Sequence, residues 1–300
     1  MEILPYGGWQ RCARIPAGST EAYVTLEVGP RIIRYGFVDG PNELVEYPHE
    51  MGKTGGDEYR SYGGHRLWIA PEEDPKTLHA DNNPVEAREE DGWYIFTAPM
   101  EKWFLQKEIR IRPEGDCLRI EHRVYNRGVY GATFAPWVLT VMATGGVCVF
   151  PQPEFVAHSE KVLPARPVVL WNYTDMSDPR WTWGKRLVRL AQHADKGPQK
   201  AGTFVEQGWA AYANHGNLFF KRFSVSSPEV SPDFGCNFET FTRQDMLEVE
   251  SLGPLQTVAP GSYAVHFETW YLGQGVSLPE DDGVCADMLE SFAAERPLRS

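Results

Sequence analysis

The sequence predicts an all-β protein, a large antiparallel two-sheet sandwich carrying one short C-terminal helix. Helical periodicity is nearly absent along the 300 residues, and short alternating runs recur between Gly, Pro, Asn and Asp clusters. Only residues 281–294 place apolar side chains at helical spacing, with acids near the start.

Taken in order, the early strands are Ala22 to Val28, Arg31 to Phe37, His65 to Ile69 and Trp93 to Ala98. Gln106 to Arg112, Cys117 to Tyr125 and Ala132 to Met142 follow, separated by Pro-Glu-Gly-Asp and Asn-Arg-Gly turns. That stretch reads as one antiparallel meander. Val147 to Phe150, Lys185 to Ala191, Leu218 to Val225, Cys236 to Thr242, Met246 to Leu252 and Tyr263 to Leu272 complete the set. In the C-terminal helix Val284, Met288, Leu289 and Phe292 share a face, which predicts a cap packed on the outside. No repeat or linker divides residues 1–300, so one domain is expected, its core at about 20–273.

Twenty-nine Lys and Arg against 41 Asp and Glu give a net charge of −12 with no basic run. Nucleic acid and anionic membranes are poor partners for such a surface. The N-terminus lacks a basic region followed by an apolar stretch, so the expected address is cytoplasmic. Cys12, Cys117, Cys148, Cys236 and Cys285 follow no zinc or redox spacing and read as buried hydrophobes. No Gly-rich phosphate loop occurs, so no nucleotide cofactor is expected, and no calcium-loop spacing points to a metal. Ten Trp stand out, because indole faces serve both cores and clefts.

The stretch Asp57 to Glu73, DEYRSYGGHRLWIAPEE, concentrates site chemistry. Gly63 and Gly64 permit positive φ, and His65, Arg66, Trp68 and Glu72 follow within nine residues. Alternation sends His65, Leu67 and Ile69 one way and Arg66 and Trp68 the other. One face can therefore be core and the other site. A second unusual stretch, Gln152 to Trp183, is too Pro-rich for central strands and too apolar for a solvated linker. It reads as a long ordered loop, either functional or covering a sheet edge.

The succession EVGPRIIRYGF, GGHRLWIAPE, EIRIRPEGDCLRIEHRVYNRG, FAPWVLTVM, ETFTRQDMLEVESLGPL and VAPGSYAVHFETWYL resembles the galactose mutarotase-like superfamily. The resemblance points to a domain-of-unknown-function branch rather than a true aldose epimerase. It implies a supersandwich whose concave face binds carbohydrate. Epimerases carry a catalytic carboxylate in a strand resembling Val249-Glu250-Ser251, which makes Glu250 the candidate base. Their ring-oxygen His corresponds to Ala135-Pro136-Trp137, where this chain has an indole instead. Their earlier His is similar in place to His65.

Anomeric ring opening needs one group to accept a proton and another to donate one. Glu250 with His65 meets that need. Arg66, Arg180, Lys200 and Lys221 are candidates to hold hydroxyls or an acidic sugar, and Trp68 and Trp137 to stack on a pyranose. Glu248 shares a face with Glu250 and reads as solvated. Glu250 with Glu239 or Glu72 would instead suit a glycoside hydrolase or polysaccharide lyase. The expected function is an epimerase-like, cofactor-independent enzyme acting on a sugar; the alternative is a carbohydrate-binding protein of the same fold without turnover.

Overall fold

The computed structural model describes residues 1–299 and places their strands in two antiparallel sheets. The first runs in space from Glu2–Tyr6 through Trp9–Ala17, Thr20–Thr25 and Arg31–Phe37 to His65–Ala70. It continues through Ala132–Met142, Met246–Leu252, Phe238–Arg243 and Gln199–Thr203 to Val168–Leu170. The second runs from Trp181–Trp183 through Leu187–Ala191, Val147–Pro151, Trp209–Asn214 and Asn217–Phe223 to Tyr263–Gln274. Cys117–Asn126, Leu105–Glu114, Trp93–Thr97 and Glu86–Glu90 complete it. The all-β class, the two sheets and the C-terminal helix are as the alternating runs predict.

Inward-facing residues of both sheets, among them Ile32, Leu67, Val138, Val249, Ile109, Phe219 and Trp270, form the main core cluster. Burying such side chains contributes about 25 cal/mol per Å² of apolar surface removed from water. All five cysteines are buried and unpaired.

Two expectations change. The meander is Glu86–Glu90 to Cys117–Asn126; Ala132–Met142 leaves it and crosses to the first sheet between His65–Ala70 and Met246–Leu252. Its eleven residues are buried over their last nine, which suits a central strand rather than a hairpin arm. In the helix Asp282–Ala294, capped by the Asp281 carboxylate on Val284 N, the buried residues are Cys285, Ala286, Leu289 and Ala293. They pack on Trp209, Phe220 and Tyr271 on the outer face of the second sheet, and Val284 points to solvent. Met288, Leu289 and Phe292 of the expected face do pack there, and of the four only Val284 turns away. Among the described residues no helix is long and apolar enough to cross a membrane.

Candidate functional site

Directly opposed residues of antiparallel strands project to the same face, so the register assembles the site. Arg66 opposes Leu139, Leu139 opposes Glu250, and Glu250 opposes Glu239. One step along, Trp68 opposes Trp137, and Phe241 opposes both Glu248 and Lys200. All these side chains leave the outward face of the first sheet. Arg66, Trp68, Trp137, Leu139, Lys200, Phe241 and Glu248 among them meet a cavity of about 260 Å³ that Tyr59, Tyr173 and Glu72 also line.

The Gly-Gly turn positions the first strand. Gly63 and Gly64 have φ of +85° and +74°, and a Cβ would stand 2.2 Å from Val45 O or 2.3 Å from Ile32 O. Buried Arg31 donates to Ser61 O and Gly63 O at 2.7 and 2.9 Å and fixes the preceding loop. Arg66 then emerges with Nη2 3.1 Å from Glu248 Oε1 and Nη1 donating to Tyr59 Oη at 2.5 Å. Its guanidinium lies 4.2 Å from the centroid of Trp68. The Trp68 and Trp137 rings meet edge to face, 5.5 Å apart at 72°.

Lys200 occupies the other end. Its Nζ lies 2.7 Å from Glu239 Oε2 and 3.3 Å from Glu250 Oε2, and it sits over the rings of Trp137 and Trp171 at 4.8 and 4.6 Å. Burial opposes its charge, but Glu250 and Glu239 outweigh burial and hold the ammonium protonated far above its usual range. Burial, reinforced by Glu250, pushes the Glu248 carboxyl up to about 7 against the pull of Arg66. Burial pushes Glu239 up to about 8 against the pull of Lys200, with Glu250 and Asp233 adding to the rise.

Several candidates stand elsewhere. His65 points between the sheets, as alternation requires, so Glu250 and His65 leave opposite faces and cannot flank one sugar. The Thr140 hydroxyl meets His65 Nδ1 at 2.9 Å, and His65 Nε2 meets His122 Nε2 at 2.7 Å. Lys221 donates to Thr140 Oγ1 and Val249 O and pairs with Glu268 Oε1 at 2.8 Å. Thr140 therefore spends its proton on His65 Nδ1, His65 Nε2–H donates to His122, and His122 Nδ1 faces His266 O at 3.3 Å. Ser251 Oγ donates to Glu268 at 2.6 Å and meets His266 Nε2 at 2.8 Å, so it accepts there. Burial lowers the pKa of His65 well below its usual value and of His122 and His266 to about 3. These neutral imidazoles hold the two sheets together and have no proton to give a ligand.

On donor type alone, His65, His122 and Glu268 could hold a metal, their ligand atoms lying within 4.8 Å of one another. The geometry is that of a hydrogen-bonded pair: a cation would need both imidazoles at about 2.0–2.1 Å, where the Lys221 ammonium already neutralises Glu268.

Lys221 thus belongs to the interior. Arg180 binds Asp178 and Gly197 O, also away from the cavity. Glu250 is 0% exposed and screened from the cavity: Trp137 Nε1 donates to its Oε2 at 2.7 Å and Lys200 covers it. Glu239 is buried beside it. Arg66, Trp68, Glu72, Trp137 and Lys200 do line the cavity. Glu248, expected to be solvated, is instead 5% exposed in the cavity wall, because Arg66 from two strands away covers it. Tyr59 and Ser61 fall in the Asp57 to Glu73 stretch, and Tyr173 in the Pro-rich loop, so proximity to those motifs was their signal. Phe241, Arg243 and Met246 carried only strand alternation.

No family model matches the chain, and no curated protein matches it. Solved structures do. The Slr1438 protein of Synechocystis superposes with a TM-score of 0.58 at 11% identity, covering 91% of this chain and 100% of that one. A galactose mutarotase-like protein from Lactobacillus casei gives 0.55 at 10%, covering 87% and 99%. A galactose mutarotase related enzyme from Lactobacillus acidophilus gives 0.57 at 8%, covering 89% and 98%. The chain has the galactose mutarotase-like fold. In this mutarotase-like sandwich the cavity lies on the outward face of the first sheet, over its four strands His65–Ala70, Ala132–Met142, Met246–Leu252 and Phe238–Arg243 and the neighbouring Gln199–Thr203.

Proposed function

We propose that the protein binds a neutral sugar in the cavity bounded by Arg66, Trp68, Trp137, Lys200 and Glu248. One observation carries this reading: two edge-to-face indoles share a 260 Å³ cavity with fixed ionic groups. A pyranose offers apolar C–H faces to indoles and a rim of hydroxyls that both donate and accept. Arg66 already pairs with Glu248, Lys200 with Glu239 and Glu250, and Arg243 with Asp245. With each cation neutralised in place, an uncharged polyol fits better than a uronate. The likeness in fold to mutarotase-like proteins supports the same ligand class. Ligand-observed NMR and thermal shift with a panel of aldoses test this. Saturation transfer that Trp137→Ala abolishes is expected, and a panel without any binder overturns it.

Anomer exchange is the second reading, and the Glu248 carboxyl favours it. Raised to about 7, that carboxyl can both accept and donate a proton near neutral pH, where general acid–base catalysis is most effective. Glu248 replaces Glu250 as the base in this reading, and the fixed Lys200 ammonium stabilises the opened ring's developing charge. The test is anomer exchange by NMR with wild type, Glu248→Gln and Glu250→Gln. Loss in the first variant with retention in the second supports turnover, whereas binding without exchange in wild type leaves a binding protein.

A further inference from the structure

A second hollow adjoins the cavity. It measures about 220 Å³ and is lined by Val169, Leu170, Trp171, Asn172, Asp233 and Phe234. The segment Trp171 to Tyr173 joins the two, since Tyr173 lines the first cavity and Trp171 and Asn172 the second. Lys200 faces the first cavity while its Nζ lies 4.6 Å from the Trp171 centroid. This ridge is held firmly. Trp171 N donates to Thr174 Oγ1 at 3.0 Å, and Thr174 Oγ1 donates to Lys200 O at 2.5 Å. Gly202 leaves room for the indole, because a Cβ there would stand 3.3 Å from Trp171 Cη2 and 3.2 Å from Glu239 Cγ.

The far rim is strained without an evident packing return. Asp233 and Phe234 have φ of +48° and +62°, and the Phe234 ring is 91% exposed. The left-handed region is disfavoured for a non-glycine residue, and strain retained in an exposed segment is a pointer to function. Asp233 and Asn172 give the hollow polar lining beside its two aromatic residues.

We propose that this hollow is a second sugar subsite, so that the ligand is a di- or oligosaccharide whose adjoining rings sit on either side of Trp171. The proposal rests on reading the first cavity as a sugar site. Each hollow is smaller than the ~300–1,000 Å³ of sites for drug-sized ligands, and each suits one ring. Trp171 and Phe234 supply stacking faces to the second ring, while Asp233 and Asn172 hold its hydroxyls.

Isothermal titration calorimetry tests this with neutral disaccharides, maltose, cellobiose and lactose among them, against glucose and galactose. Wild type is expected to bind one disaccharide at least about tenfold more tightly than either monosaccharide, a difference of ~1.4 kcal/mol. Phe234→Ala should return that affinity to the monosaccharide value while leaving monosaccharide binding and the thermal midpoint unchanged. Monosaccharide binding with no disaccharide gain, or a gain indifferent to Phe234→Ala, overturns the subsite and leaves the first cavity's reading intact. Binding of none of these sugars overturns both.

Discussion

Trp137 lines the cavity with its ring while its Nε1 donates to Glu250 Oε2 at 2.7 Å, a carboxylate that the cavity does not reach. One side chain thus lines the cavity with its face and serves the fold with its edge. The two roles separate on substitution. Trp137→Phe keeps an aromatic face but deprives Glu250 of a donor, leaving Lys200 as its remaining partner. A buried acceptor left unsatisfied costs about 1–3 kcal/mol, so urea denaturation should show a loss of that size while sugar affinity is largely kept. Trp137→Ala should lose both. A Phe variant as stable as wild type would show that the indole N–H contributes nothing to holding Glu250.

Lys200 is shared by two buried carboxylates, Glu239 and Glu250. Removing one member of a buried ion pair costs about 3–5 kcal/mol, because the partner charge stays behind. Lys200→Met should therefore destabilise by that much or more at neutral pH. Adding Glu239→Gln removes the second buried carboxyl that Lys200 contacts and should recover part of the loss. A double-mutant cycle by urea denaturation measures the coupling. Additive effects would mean that the 2.7 Å contact between Lys200 and Glu239 carries no net energy.

Stability should respond to pH from both sides. Glu239 and Glu248 titrate in the folded protein near 8 and 7, above the ordinary 4.5. Their contribution is complete below pH 4.5 and is lost as pH rises through 7 and 8. His65, His122 and His266 have depressed values, the last two near 3, so the unfolded chain binds protons that the native core refuses below pH 6.5. Between the two ordinary values the terms largely cancel. Stability should be highest near pH ~5–6.5, fall by on the order of 2 kcal/mol toward pH ~8, and fall steeply in acid below ~4.5. Denaturation midpoints across pH check this, and Glu239→Gln with Glu248→Gln should flatten the alkaline arm. An alkaline arm unchanged in the double variant would assign it to other groups.

What was legible in the sequence follows from what alternation encodes. His-Arg-Leu-Trp-Ile separates a core face from a site face: Arg66 and Trp68 line the cavity, and Leu67 and Ile69 sit in the core. The same rule groups His65 with Leu67 and Ile69, and in the structure all three lie on the inner face, opposite to Glu250. The likeness to epimerases nevertheless paired His65 with Glu250, because an imidazole is equally at home in a catalytic site and in a buried hydrogen-bonded chain. Burial of Glu248 was invisible for a different reason. It depends on Arg66, 182 positions away, and register between distant strands is not written in either strand alone. The crossing of Ala132–Met142 between sheets was hidden likewise, since a turn such as Asn-Arg-Gly starts a hairpin or a crossover equally well.

The Gly-Gly turn offers the sharpest test of how the site is positioned. Gly63 and Gly64 combine positive φ with backbone at 2.2 and 2.3 Å from where a Cβ would stand, so alanine at either meets both conformational strain and an immovable carbonyl. Gly115 has a similar φ of +64° with open space around it. Gly115→Ala should cost only the conformational term, about 1–2 kcal/mol. Gly63→Ala and Gly64→Ala should each cost more, and because the turn leads directly into His65–Ala70 the backbone must shift where Arg66 meets Glu248 and Trp68 meets Trp137. Urea denaturation with NMR titration of a bound sugar separates the two effects. Gly115→Ala should leave affinity untouched while the other two weaken it. Equal stability losses at all three positions, with affinity retained, would mean that the turn can relax without moving the strand, and that the cavity does not depend on it.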